Sequence, residues 1–113
     1  MEYRVCRNNP APYNDLNGKI SLLGLGTMRL PLRDAADQTS IDEEKAQEIF
    51  DYAYAHGVNY FDTAYPYHGG MSEKFCGQAL AKYPRASYHL ASKLPGWLLK
   101  CDEDVSRIFN EQL

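Results

Sequence analysis

Three side chains in the middle of this sequence combine into one acid: the phenol of Tyr67, the ammonium of Lys93 and the carboxylate of Asp62. A phenol and a lysine each titrate near pH 10 in isolation. A cation held beside the phenol favours its ionised form and brings it closer to working pH, so Tyr67 can give up a proton. A buried lysine sheds its own proton unless something negative holds it, and Asp62 is the carboxylate placed to do so. Such a unit could protonate the oxygen of a carbonyl while a hydride arrives at its carbon. Each residue alone has a plainer use. Asp62-Thr63 is good turn chemistry at any strand end, a lysine such as Lys93 commonly guards an edge strand, and Tyr67 is one of nine tyrosines. Their joint placement carries the argument, and that depends on the elements that deliver them.

Lys19 to Gly26 is short, apolar and bounded by Asn17-Gly18 and Arg29-Leu30-Pro31, which suits a first strand buried on both faces. Before it, Tyr3 to Cys6 alternates like a strand and Asn8 to Pro12 reads as a loop, predicting a short N-terminal β-hairpin. Ser40 and Glu43 have the spacing of a capping box, and Ala46, Ile49, Phe50, Ala53 and Tyr54 form one apolar stripe that Gly57 ends. Val58 to Asp62 follows as a second strand. After the loop from Thr63 to Met71, Ser72 is expected to cap a helix carrying Phe75, Cys76, Ala79 and Leu80, with Pro84 enforcing its end. Ser87 to Lys93 reads as a third strand and Leu94-Pro95-Gly96 as a turn. Asp102 or Asp104 then opens a third helix with Val105, Ile108 and Phe109 on one side.

Strands alternating with helices through short connections mean a parallel α/β sheet. The repeat of roughly 30 to 35 residues is that of a (β/α)8 TIM barrel, and the chain would hold about three of the eight units. Asp62 then ends the second strand, Lys93 ends the third, and Tyr67 lies in the loop between, all at the rim where α/β barrels place their active sites. The expected domain covers residues 1–113 and stops within the third helix. Three parallel strands cannot close, so Leu23, Leu25, Tyr60 and Leu90 of the would-be barrel interior should stay partly wet. Self-association through the open sheet edges is the expected escape.

A formal charge of −3, with 44% hydrophobic and 24% charged residues, describes an ordinary folded domain with no basic face for nucleic acid. No apolar run is long enough to cross a membrane, and the N-terminus lacks a secretory layout, so a cytoplasmic protein is expected. Cys6, Cys76 and Cys101 are widely spaced without metal-ligand patterning and read as reduced thiols, leaving no metal site. Gly24-x-Gly26 fails as a dinucleotide fingerprint, because Arg29 stands where the third glycine belongs and Pro31 follows instead of a helix. His68 adjoins Tyr67 and invites a relay role, but loop histidines are usually solvated. His56 at a helix end and His89 within a strand read as structural. Trp97, on the same rim, either lines a substrate pocket or packs over a barrel edge.

The sequence Asp62-Thr63-Ala64-Tyr65-Pro66-Tyr67 resembles the Asp-Thr-Ala-x-x-Tyr motif of the aldo-keto reductases, with the spacing matched throughout. Gly24 to Arg29 resembles the family's first-strand segment, Ser72-Glu73 with Gly77 to Leu80 its second helix, and Ser92-Lys93-Leu94 its third-strand lysine. The resemblance implies an oxidoreductase that reduces small aldehydes or ketones to alcohols with NADPH, NADH being the alternative. It implies Tyr67 as proton donor with Lys93 and Asp62 as its partners. Gly26, Thr27, Met28 and Asp62 would lie beside the nicotinamide, and Tyr67 and Trp97 at the substrate pocket. The family's histidine on a fourth strand falls outside the sequence, so an active parent is implied more strongly than an active fragment. Some bacterial relatives with a similar Gly-Thr-Met-Arg-Leu-Pro start also bear a C-terminal iron-sulfur region. The other function class is a noncatalytic module of the same fold that binds a partner or a nucleotide.

Overall fold

Asn59 marks the junction between the two sheets of the molecule. Its side-chain oxygen accepts from Ser21 N at 2.8 Å and its amide donates to Lys19 O at 3.1 Å, while its own N–H donates to Ser21 Oγ at 3.1 Å. These bonds join an antiparallel hairpin, β1 (Tyr3–Val5) with β2 (Lys19–Ser21), to the start of a parallel sheet. The computed structural model describes residues 1–5 and 19–113. The expected loop from Asn8 to Pro12 and the end of the first hairpin strand at Cys6 lie outside the described residues.

The parallel sheet runs β3 (Leu25–Gly26), β4 (Tyr60–Asp62) and β5 (His89–Ala91), in that spatial order. Helix α1 (Glu43–Ala55) connects β3 to β4, α2 (Met71–Leu80) connects β4 to β5, and α3 (Asp102–Gln112) follows β5. Hairpin and parallel βα repeat are as predicted, and the arrangement fits part of a (β/α)8 barrel. None of the helices among the described residues is long and apolar enough to cross a membrane.

The core lies between the sheet and α1 and α2. Phe61 in the centre of β4 is fully buried and stacks on Phe50 of α1 at 5.2 Å, and Phe50 meets the edge of Phe75 of α2 at 5.4 Å. Aromatic pairs at these separations contribute beyond their buried area, so the three rings lock two helices to the central strand. Leu25 and Leu90 stand in register with Phe61 and pack against the same core. They therefore belong to the helix layer, whereas Tyr60 and His89 share the opposite face. The expected interior set thus divides by the period-two alternation of the strands.

Four local expectations change. The first strand is two pieces, because β2 pairs with β1 and the chain bends at Leu22-Leu23 before β3. Those two leucines are exposed instead of buried. Asp42, not Ser40, caps α1, accepting from Lys45 N at 3.3 Å, while Ser40 Oγ is taken up by Asp34 and Asp37 in the preceding loop. Ile49 is exposed: its neighbour Gln47 bonds Ala79 O on α2 and faces that helix, so Ile49 points away from it. Ser72 is not a cap, because α2 already begins at Met71, with left-handed Gly70 before it. Gly57 does end α1 in the left-handed region at φ +89, and a Cβ there would meet Tyr3 Oη at 2.5 Å.

Candidate active site

Parallel pairing brings Asp62 into register with Gly26 on one side and Ala91 on the other. All three lie on the face opposite Phe61, so the carboxylate is flanked by a hydrogen atom and a methyl group and can be approached. Two residues beyond Ala91, on the same face, is Lys93. Its Nζ donates to Asp62 Oδ1 at 2.6 Å and to Thr63 O at 2.8 Å, and it lies 3.4 Å from Tyr67 Oη and 5.0 Å from the Tyr67 ring centre. One ammonium thus bridges the carboxylate and the phenol. Partial desolvation works against the Lys93 charge, but hydrogen bonds to Asp62 and Tyr67 outweigh it and hold its pKa above the ordinary lysine value. The lysine and aspartate side chains are 49% and 37% exposed, so the pair sits on an open rim where solvent screens its attraction.

Beneath the rim is a buried cluster of hydroxyls that the sequence reading missed. Ser72 Oγ lies 3.0 Å from Thr27 Oγ1 and 2.9 Å from Thr63 Oγ1, and all three residues are nearly or fully buried. Thr27 also gives its N–H and its hydroxyl to Asp62 O, at 2.9 and 3.0 Å. Helix α2 is thereby fixed to the ends of β3 and β4, next to the carbonyl that holds Lys93. Small hydroxyl residues just after two strands and just inside a helix were the available signal. They are common at such ends for capping alone, and so pass unnoticed.

The Gly26 to Met28 segment offers an uneven surface. A Cβ at Gly26 would meet nothing within 4 Å, and Met28 is exposed, whereas the Thr27 side chain points inward and is fully buried. Trp97 is 74% exposed on a single 3-10 turn, Gly96–Leu98. A cavity of about 1120 Å³ opens between α2 and α3, lined by Thr63, Glu73, Leu90 and Gln112 among others but by none of Tyr67, Lys93 and Trp97. It lies on the helix side of the sheet, because Leu90 faces that way, and so it is not the space the acid faces. Glu73 on its wall accepts from Ser92 Oγ and from Gln112 Nε2, and Gln112 also donates to Lys93 O at 3.2 Å, tying the end of α3 to the lysine-bearing strand end.

His68 is not the solvated loop residue expected. It is buried, with its ring nitrogens bonded to backbone groups of the Thr27–Leu30 turn and of Gln38. His56 Nδ1 is 2.7 Å from Tyr52 O at the end of α1, and His89 is partly buried in β5, its Nε2 without a hydrogen-bond partner among the described residues and its pKa lowered by desolvation and by Arg85. Cys76 is buried and Cys101 exposed, and both are free thiols; Cys6 lies outside the described residues. Among the described residues no cluster of His, Cys, Asp and Glu could hold a metal ion.

Residues 22–112 match the model of the Aldo/keto reductase family. The chain is 34% identical over 96 residues to a Schizosaccharomyces pombe protein named as an aryl-alcohol dehydrogenase, an alignment covering 82% of the chain and 26% of that protein. It is 32% identical over 75 residues to a soybean (Glycine max) protein named as an aldo-keto reductase, covering 66% of the chain and 21% of the relative. To the aldo-keto reductase dtxS3 of Metarhizium robertsii it is 47% identical over 55 residues, 47% of the chain and 15% of that protein. The chain thus spans between 15% and 26% of the length of these relatives. With a family match that runs from the bend before β3 to the end of α3 and includes Asp62, Tyr67 and Lys93, the chain belongs to the aldo/keto reductase family.

Proposed function

We propose that these residues form the proton-donating rim of an NAD(P)H-dependent reductase that converts small aldehydes or ketones to alcohols, with NADPH as the preferred cofactor and NADH as the alternative. The observation that carries this reading is the Lys93 ammonium standing between Asp62 Oδ1 and Tyr67 Oη. Tyr67 is the general acid. When bound, the reduced cofactor supplies a hydride to the carbonyl carbon. The C=O π bond opens as that C–H bond forms, and the oxygen takes the proton of Tyr67. Negative charge then develops on the phenol oxygen, and the ammonium 3.4 Å away stabilises it. Asp62 and Thr63 O keep Lys93 at that position. Solvent returns the proton to Tyr67 across the open rim.

Gly26, where a Cβ would meet nothing within 4 Å, exposed Met28, and Asp62 in register with Gly26 would hold the nicotinamide end of the cofactor. Thr27 contributes through its backbone, its hydroxyl being engaged with Ser72 and Asp62. Trp97, exposed beyond β5, is available to a substrate bound over Tyr67. The complete reaction is assigned to a longer chain, because these residues span between 15% and 26% of their relatives' length. Among the described residues β3 and β5 are the outer strands of the parallel sheet, and in isolation their edges would favour self-association.

The test is NADPH oxidation with an aromatic aldehyde, carried out in the longest chain that contains these residues. Tyr67→Phe should lower kcat by about 10²- to 10⁴-fold, the range of a general acid, while leaving cofactor binding within about twofold. Lys93→Met should lower kcat to a similar extent. Full turnover by Tyr67→Phe would exclude the proposed acid.

A further inference from the structure

We infer that His68 is a positioning residue that holds the Tyr67 loop and the Thr27–Leu30 turn in one register, so that the acid and the cofactor-facing segment are presented together. The inference rests on the roles proposed above for Tyr67 and for Gly26 to Met28.

His68 stands in a run of three consecutive left-handed residues, with φ 54 at His68, 61 at Gly69 and 89 at Gly70. Two of the three are glycines, to which that region comes freely. A histidine there must be held by its surroundings. Those surroundings are three backbone groups. Nδ1 is 2.9 Å from Gln38 O, and Nε2 is 3.1 Å from both Leu30 N and Thr27 O. The Leu30 N–H is directed at Nε2, which accepts it, so the ring N–H is on Nδ1 and is given to Gln38 O; Thr27 O, 3.1 Å from the same Nε2, is then a close neighbour and not a hydrogen-bond partner. His68 is 5% exposed, so water does not replace these partners. Met28 lies inside the turn that the ring grips, and Tyr67 is joined to His68 by one peptide bond. A single imidazole therefore fixes the position of one relative to the other.

Two variants separate positioning from general stability. His68→Asn retains a donor for Gln38 O but has no acceptor at Nε2. His68→Gln puts an amide oxygen where Nε2 stands. In the longest chain that contains these residues, amide exchange at Leu30 and NADPH affinity are measured for the parent and both variants. His68→Asn should speed Leu30 exchange and weaken NADPH binding by about tenfold each, as expected for one buried hydrogen bond, and His68→Gln should restore both to within about threefold. Unchanged Leu30 exchange in His68→Asn, or equal losses in the two variants, would overturn the inference. If the parent chain binds no NADPH, the functional reading fails at that step. The positioning role then stands or falls on the two-variant pattern at Leu30.

Discussion

Replacing Ser72 by alanine removes the hydroxyl on which two other buried hydroxyls converge. Thr27 keeps a partner, since it still donates to Asp62 O. Thr63 loses its hydroxyl partner and is left beside the Cys76 thiol, which is a weak one. Leaving a buried polar group under-satisfied costs about 1–3 kcal/mol, so Ser72→Ala should destabilise the protein by about 2 kcal/mol and lower Tm by about 10 °C. The cost should largely vanish when Thr63 loses its hydroxyl as well, because no orphan then remains. In urea denaturation followed by circular dichroism, the Ser72→Ala/Thr63→Val double variant should be more stable than the sum of the single changes predicts, by about 1 kcal/mol. Additivity within about 0.5 kcal/mol would refute the argument that these hydroxyls act as one unit. So would a Ser72→Ala loss below that size.

Two further outcomes follow from the same structure. Gly57→Ala should cost about 1 kcal/mol or more, measured by thermal denaturation, because it places a Cβ at φ +89 and against Tyr3 Oη; a neutral result would mean that the hairpin does not close over the end of α1. His89 has its pKa lowered by desolvation, with Arg85 adding to the effect. A depressed histidine favours the neutral ring in the folded protein. Its contribution to stability is therefore full above the unfolded value of 6.5 and is lost as pH falls through the lower folded value. Urea midpoints should decline through that window in the parent and flatten in His89→Gln. An equal decline in both would assign the acid sensitivity elsewhere.

The sequence by itself determined the repeat and the rim. Apolar stripes and β-rich runs placed three helices and the core strands, because periodicity records which face of an element is dry. From that alternation alone Asp62, Tyr67 and Lys93 fall at one end of a parallel sheet, and the structure brings Lys93 to 2.6 Å from Asp62. Tertiary structure decided matters in which a local pattern has several partners to choose from. Lys19 to Gly26 reads as one strand because nothing local shows that its first half pairs backward with β1 and its second half sideways with β4. Ser40 and Asp42 are both good caps, and the loop that captured Ser40 Oγ left the helix to Asp42. His68 and Ser72 look like loop and cap residues, since side chains of their types usually meet solvent at such positions. Both are buried because the Thr27–Leu30 turn folds down onto them from about 40 residues earlier in the chain, a contact of long sequence separation that no local pattern encodes.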